Sequence, residues 1–159
     1  MLTDLRIRQR DYLLEIARAI TARLDLDEVL RLIVEAAAEM LAGQVAFIAL
    51  RDEEGFTIRA AHGLPATEWK ALDALLASLP AQPEAGGRAE MERALAHMLR
   101  ILRMEAQQAV ALPLTVGDDL LGWLVVFRAF GTAFTYDDRL LLRAFADQAA
   151  IAVHNAQLY

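Results

Sequence analysis

The stretch QQAVALPLTVGDDLLGWLVVF, Gln107 to Phe127, decides the fold. QQAVALPLTV and LLGWLVVF are apolar runs of strand length, and GDD (Gly117 to Asp119) between them is turn chemistry, so together they predict a β-hairpin. Pro113 has no amide hydrogen to give to a central strand, which predicts a bulge or an edge position. An earlier stretch repeats the pattern. QVAFIAL (Gln44 to Leu50) is apolar, DEEG (Asp52 to Gly55) is turn-like, and FTIRAAH (Phe56 to His62) alternates. Two hairpins require an antiparallel sheet.

Helical periodicity surrounds them. Leu13, Ile16, Ala17, Ile20 and Leu24 mark one face of a first helix over Tyr12 to Arg23, and the charged lead-in from Leu2 to Asp11 can extend it. Asp25 with Glu28 predicts a capping box, followed by a helix burying Val29, Leu32, Ile33, Ala36, Ala37, Met40 and Leu41 and ended by Gly43. Pro65 opens a third helix with Trp69, Leu72, Leu75, Leu76 and Leu79 inward. PAQPEAGG (Pro80 to Gly87) is a loop, and Arg88 to Met104 is helical, with Met91, Leu95, Met98 and Leu102 buried. Thr135 with Asp138 caps a last helix. The order ααββααββα predicts an α+β domain whose helices cover both faces of the sheet.

The 159 residues are one domain's worth of chain, and 57 % hydrophobic against 24 % charged residues describes an ordered core. A formal net charge of −6, with Lys70 the only lysine, argues against nucleic acid, whose phosphates demand clustered Lys and Arg. LLGWLVVF is far shorter than the roughly 20 apolar residues of a membrane helix, and the charged N-terminus lacks a signal-peptide core. A cytoplasmic protein, with no membrane insertion, is therefore expected. With no cysteine there is no disulfide, thiolate metal site, thiol nucleophile or thioether link to a cofactor. Ser78 is the only serine, late on a helix and without the strand–turn–helix elbow that exposes a nucleophile. The carboxylate pairs Asp118/Asp119 and Asp137/Asp138 are adjacent in sequence, so their side chains diverge; they serve a turn and a helix start. No catalytic residue and no metal site emerges.

In the last helix Leu142, Phe145, Ala149, Ala152, Ala156 and Tyr159 follow a 3-4-3-4-3 spacing, and Leu141, Ala144, Gln148, Ile151, Asn155 and Leu158 form a second row one residue back. One row can bury against the sheet while the other meets a helix of a second chain, Asn155 fixing register. One wide stripe inside a monomer fits the same periodicity. No glycine, asparagine or proline follows ADQAAIAVHNAQLY (Ala146 to Tyr159) to stop the helix.

The segments RAITARLDLDEVLRLIVEAAAEML, LPLTVGDDLLGWLVVF and FTYDDRLLLRAFADQAAIAVHNAQLY closely resemble a GAF domain, over nearly the whole chain. The most specific parts are LDLDEVL, PL…GDDLLGWL and the ending FADQAAIAVHNAQLY. The resemblance implies one domain over 1–159: an N-terminal signalling helix (1–24), a helix–sheet core (25–134) and a C-terminal helix (135–159). It implies terminal helices on one face of the sheet, a ligand pocket under helices on the other, and a parallel homodimer through the terminal helices. It also implies an output domain beyond the unterminated last helix, such as a histidine kinase, a cyclic-di-nucleotide enzyme or a transcription regulator. Leu141, Gln148, Ile151, Ala152, Asn155 and Leu158 are then the dimer and signalling positions.

The chain departs from the family at PAQPEAGGRAEMERALAHMLRILRMEA, where many members carry a glycine-bearing segment and a further strand, so the pocket lid differs. Cyclic-nucleotide-binding members have an Asn-Lys pair before Phe-x-x-x-Asp-Glu; here Phe134-x-x-x-Asp138 is followed by Arg139, and the pair is absent. Phe134 to Asp138 is also explained as an aromatic anchor before a capped helix. Bilin-binding members attach the pigment through a cysteine, and members that reduce methionine sulfoxide need cysteine thiols. Haem-binding members use a histidine, but His97 falls on a polar helix side, His62 ends a strand as turn cap or pocket lining, and His154 lies between the rows. No cofactor is expected.

The candidate pocket residues are Phe47, His62, Trp69, Met98 and Trp123. Two large aromatics with one polar atom each suit a small planar ligand, and they equally suit ordinary core. The function expected is a non-catalytic sensory or regulatory module that binds a small molecule or relays helix motion to an effector. The alternative is a structural dimerisation module with a degenerate pocket.

Overall fold

The computed structural model describes residues 2–22, 25–53, 55–77, 87–101, 103, 108–129 and 133–158. Leu24, Ser78, Leu79, Leu102, Met104 and Tyr159 lie outside them, as does the loop expected over Pro80 to Gly87 except Gly87, which opens a helix instead. The elements are α1 (Leu2–Thr21), α2 (Leu26–Leu41), β1 (Val45–Asp52), β2 (Gly55–His62), α3 (Ala66–Leu76), α4 (Gly87–Ile101), β3 (Gln108–Val116), β4 (Asp119–Arg128) and α5 (Tyr136–Leu158). Their order is the expected ααββααββα.

The hairpins β1–β2 and β3–β4 join through β1 and β4 into an antiparallel sheet of order β2-β1-β4-β3. Pro113 pairs with Trp123 on the edge strand β3, where a missing amide hydrogen costs no ladder bond on the open side. The central strands are dry on both faces. Val45 to Leu50 are all buried, and so are Gly122 to Phe127.

Each hairpin carries a bulge that re-aims side chains. Ile48 pairs with Ala60 but Ala49 pairs with Ile58, which leaves Arg59 as the extra residue. Phe56 and Ile58 therefore face α3 and α4, whereas Ala60 faces the terminal helices. Exposed Arg59 reaches the start of α2, donating from Nη2 to Asp27 Oδ1 at 2.9 Å. In the second hairpin Leu114 pairs with Gly122 and Thr115 with Leu120, so Leu121 is the extra residue. Simple alternation along FTIRAAH and LLGWLVVF is corrected at these two places.

The helices divide as the α+β reading expects. Helices α1, α2 and α5 bury Ile16, Ile33, Leu142 and Phe145 against Ala46, Ile48, Leu124 and Val126. On the opposite face α3 and α4 bury Leu72, Leu76 and Met98 with Phe47, Trp123 and Phe127. Helices α1 and α5 lie parallel, because contacts advance together along both: Gln9 Nε2 donates to Leu141 O at 3.3 Å, and Tyr12 meets Phe145 edge-to-face at 6.4 Å. The buried face of α1 is centred on Ile16 and Ala19; Ala17 is half-buried.

Helix ends confirm one cap and revise another. Thr135 and Asp138 form the reciprocal box: Thr135 N–H donates to Asp138 Oδ2 (2.9 Å), and Asp138 N–H donates to Thr135 Oγ1 (3.1 Å). Asp25 occupies the N-cap of α2 with no side-chain capping bond; its carbonyl accepts from Val29 N–H at 3.1 Å. The residue that ends α2 in left-handed geometry is Ala42 (φ 53°), while Gly43 N–H closes onto Ala38 O at 2.8 Å. Gly43 is needed for a different reason. A Cβ there would stand 2.6 Å from Val126 Cγ1.

Two substitutions of opposite sign follow. Gly122→Ala would drive a Cβ into the Ala49 carbonyl of the neighbouring central strand and should lower stability in urea titration by about 3 kcal/mol. Ala42→Gly relieves the left-handed alanine and should raise stability by about 0.5–1 kcal/mol.

Candidate functional site

The two faces of the sheet differ in side-chain size. Toward α1, α2 and α5 small residues are interleaved with larger aliphatic ones: Ala36, Ala37, Ala46, Ala146 and Ala149 are all buried there beside Ile33, Ile48, Leu124 and Val126. Small side chains let helices sit close to the strands and to each other. Toward α3 and α4 the cross-strand rows are built on bulk. Phe47 sits between Ala61 and Val125, Trp123 between Ala49 and Pro113, and Phe127 between Val45 and Ala109. The Phe47 and Phe127 rings lie 6.1 Å apart. Helix α3 packs chiefly on the edge strand β2, α4 on the edge strand β3, and the two on each other. The central strands beneath are therefore spanned by large side chains. This packed face, the α3/α4 chamber, is where the family resemblance implies a ligand pocket.

Four of the five candidate pocket residues meet there. Phe47, Met98 and Trp123 are buried in one cluster, and half-buried Trp69 packs against it. His62 is exposed at the end of β2 and stands apart. The two tryptophans differ in one respect that the sequence could not reveal. Trp69 donates its indole N–H to Leu64 O at 3.0 Å, which ties α3 back to the turn before it. Trp123 is 4 % exposed and its Nε1 has no hydrogen-bond partner. Outside the chamber, Trp69 also borders an open depression of ≈ 410 Å³ lined by Asp27, Glu28, Arg31, Arg59, Ala60 and Ala61.

The chamber has little chemistry beyond that N–H. Among the described residues no polar or charged residue is buried apart from tryptophan, and no group of His, Asp and Glu could hold a metal ion. His97 is exposed, as its helical position implied. Such a lining suits holding a ligand by shape and apolar contact.

On the other face, α5 separates its two rows. Leu142, Phe145, Ala149 and Ala152 are buried against the domain, joined by Ala146, Ala150 and Val153, although Ala156 is exposed. Of the six dimer and signalling positions, Leu141 and Gln148 are half-buried, Ala152 turns inward, and Asn155, Ile151 (46 % exposed) and Leu158 (64 % exposed) face solvent. Leu140 (45 % exposed) continues that outer line, and α1 adds Ile7 and Leu14 on its exposed side. Leu140, Ile7 and Leu14 were not singled out from sequence. The seven-residue spacing Ile7–Leu14 could have marked that pair, and the eleven-residue step from Leu140 to Ile151, about three helical turns, could have marked Leu140.

Arg128, which no motif singled out, locks the terminal-helix layer. Its Nη1 donates to Leu41 O at the end of α2 (3.2 Å), Nη2 lies 3.8 Å from Asp138 Oδ2, and its guanidinium stacks 4.2 Å from the centre of the Phe134 ring. This gives Phe134 and Asp138 the structural role of an anchor before a capped helix.

A family model described as GAF domain matches residues 25–155. Solved structures share the fold. The GAF domain of a phosphoenolpyruvate-protein phosphotransferase from Coxiella burnetii has a TM-score of 0.70 at 19 % identity, with 96 % of each chain covered. The GAF domain of a putative sensor histidine kinase from Pseudomonas syringae pv. tomato gives 0.69 at 16 %, covering 99 % of this chain and 92 % of that one. A phycoerythrobilin-bound GAF domain from a cyanobacterial phytochrome gives 0.65 at 17 %, covering 94 % and 96 %. No curated protein matches the sequence.

Trp69→Phe removes the bond to Leu64 O while keeping the ring. It should cost about 1 kcal/mol in urea titration and speed amide exchange in α3 more than in α2.

Proposed function

The chain belongs to the GAF domain family over residues 25–155, and on that premise we propose that it is a sensory and regulatory module rather than an enzyme. Its structural neighbours come from proteins described as a sensor histidine kinase, a phytochrome and a methyl-accepting chemotaxis protein. In this reading the domain works as a parallel homodimer through α1 and α5, takes a small molecule against the α3/α4 face of the sheet, and passes a change in helix packing to an output domain on the same polypeptide.

The observation that carries the reading is the outer line of α5. A helix that had only to close its own core would present polar residues to solvent. Instead Leu140, Ile151 and Leu158 stay exposed beside Ile7 and Leu14 of the parallel helix α1. Two such helix pairs set side by side bury these residues in a coiled-coil-like seam, with Asn155 and Gln148 at its margin. The ligand part rests on the chamber of large side chains around Phe47, Met98 and Trp123. Complete burial of Phe47, Met98 and Phe127 favours a second reading, a dimerisation module whose chamber is filled by its own side chains.

Native mass spectrometry of the domain distinguishes these readings. A dimer with additional bound mass supports the sensor, and a dimer of bare chains favours the filled module. A monomer at tens of micromolar overturns the seam. The double substitution Ile151→Glu with Leu158→Glu should convert dimer to monomer while leaving the circular-dichroism spectrum unchanged, since both positions are exposed in the single chain.

A further inference from the structure

We propose that Trp123 is the selecting donor of the chamber, and that the molecule it selects is uncharged and apolar, with a hydrogen-bond acceptor directed at the indole N–H. This rests on the reading of the α3/α4 face as a small-molecule chamber, and it assigns that chamber a ligand class.

Buried N–H groups in folded proteins are almost always paired, and each orphan calls for an explanation. Trp123 is 4 % exposed, on a central strand, with Nε1 unpartnered. If filling space were its whole task, phenylalanine would do so without a stranded donor, as Phe47 and Phe127 do in the same cluster. Its cross-strand neighbours are the small residues Ala49 and Pro113, so the flanks of the indole in the sheet are not crowded by bulky side chains. Trp69 supplies an internal contrast: where the fold needs an indole for structure, it gives the N–H a carbonyl at 3.0 Å.

The rest of the lining fixes the remaining chemistry. No charged side chain is buried among the described residues. An ionised ligand would lose its hydration here and gain no counter-charge, so the chamber rejects it. A neutral, flat body fits between apolar walls, and one acceptor completes the donor inventory. Room comes from Met91 and Met98, unbranched side chains in the same cluster that repack readily.

The test uses two-ring probes of matched shape. Quinoline differs from naphthalene in one ring nitrogen, an acceptor, and 2-naphthoate adds a negative charge. In ¹⁵N-labelled domain the two indole N–H signals are assigned with Trp69→Phe and Trp123→Phe. Quinoline is expected to bind roughly 3- to 10-fold more tightly than naphthalene and to move the Trp123 indole proton downfield while the Trp69 signal stays in place. 2-Naphthoate should not bind, and Trp123→Phe should make quinoline and naphthalene equal. Equal binding of the two neutral probes to the unmodified domain would overturn the donor role and leave the chamber standing. Binding of neither probe would overturn the chamber and the donor together. The comparison of probes on the unmodified domain decides the matter even if Trp123→Phe fails to fold.

Discussion

The structure depends on a pair of central strands, β1 and β4, that are buried on both faces. A strand in that position can use no polar side chain, and its backbone groups must be satisfied by the ladder on either side. Antiparallel pairing to each other and to β2 and β3 does this. The side chains of these two strands point alternately into both helical layers, between the edge strands on which the helices chiefly pack. Ala46, Ile48, Leu50, Leu124 and Val126 point toward α1, α2 and α5, and Phe47, Trp123 and Phe127 toward α3 and α4. The two faces thus differ most in aromatic content, which these strands place on one side only.

The layer of α1, α2 and α5 is fastened at its ends. Arg128 leaves β4 and contacts the Leu41 carbonyl at the end of α2, the Phe134 ring and the Asp138 carboxylate at the start of α5. One charged side chain thereby links a strand end to two helices, and a largely buried, charge-assisted bond of this kind contributes about 2 kcal/mol. On the other face the Trp69 bond holds the start of α3. A layer held mainly by apolar contact with long flexible side chains yields more readily than one held by close packing and ion pairs.

Much of this was legible in the sequence, and the remainder was hidden for physical reasons. Hairpins, helix faces and the Thr135/Asp138 box are local patterns of period and spacing, and they read directly. The bulges at Arg59 and Leu121 were not legible, because an extra residue declares itself only through the partner strand's register. Ala42 took the left-handed position that Gly43 seemed to claim, since the glycine was needed for close approach to Val126, a contact made across the whole domain. Phe47 and Trp123, both candidates from the sequence, lie in one buried cluster. His62 stands apart because its side chain is exposed at the end of β2. Whether an indole N–H finds a carbonyl is a matter of atomic placement, and composition carries no trace of it.

In the proposed reading, the same central strands also decide what a ligand can do. A molecule seated against Trp123 acts on β4, whose next residue, Leu124, faces the layer that holds α5. Strand β4 cannot slide, because its register is fixed by the bulge against β3 and by burial on both faces. It can shift or twist as a unit, and the close-packed layer beyond it does not deform continuously; it moves between discrete packings. The ligand then biases one packing of α5 over another by no more than the difference in its affinity for the two. A 10-fold difference in affinity corresponds to about 1.4 kcal/mol, which moves an evenly poised pair of states to roughly ten to one. The outer line of Leu140, Ile151 and Leu158 transmits that bias only where a second helix lies against it. In that reading, dimerisation is a condition of signalling.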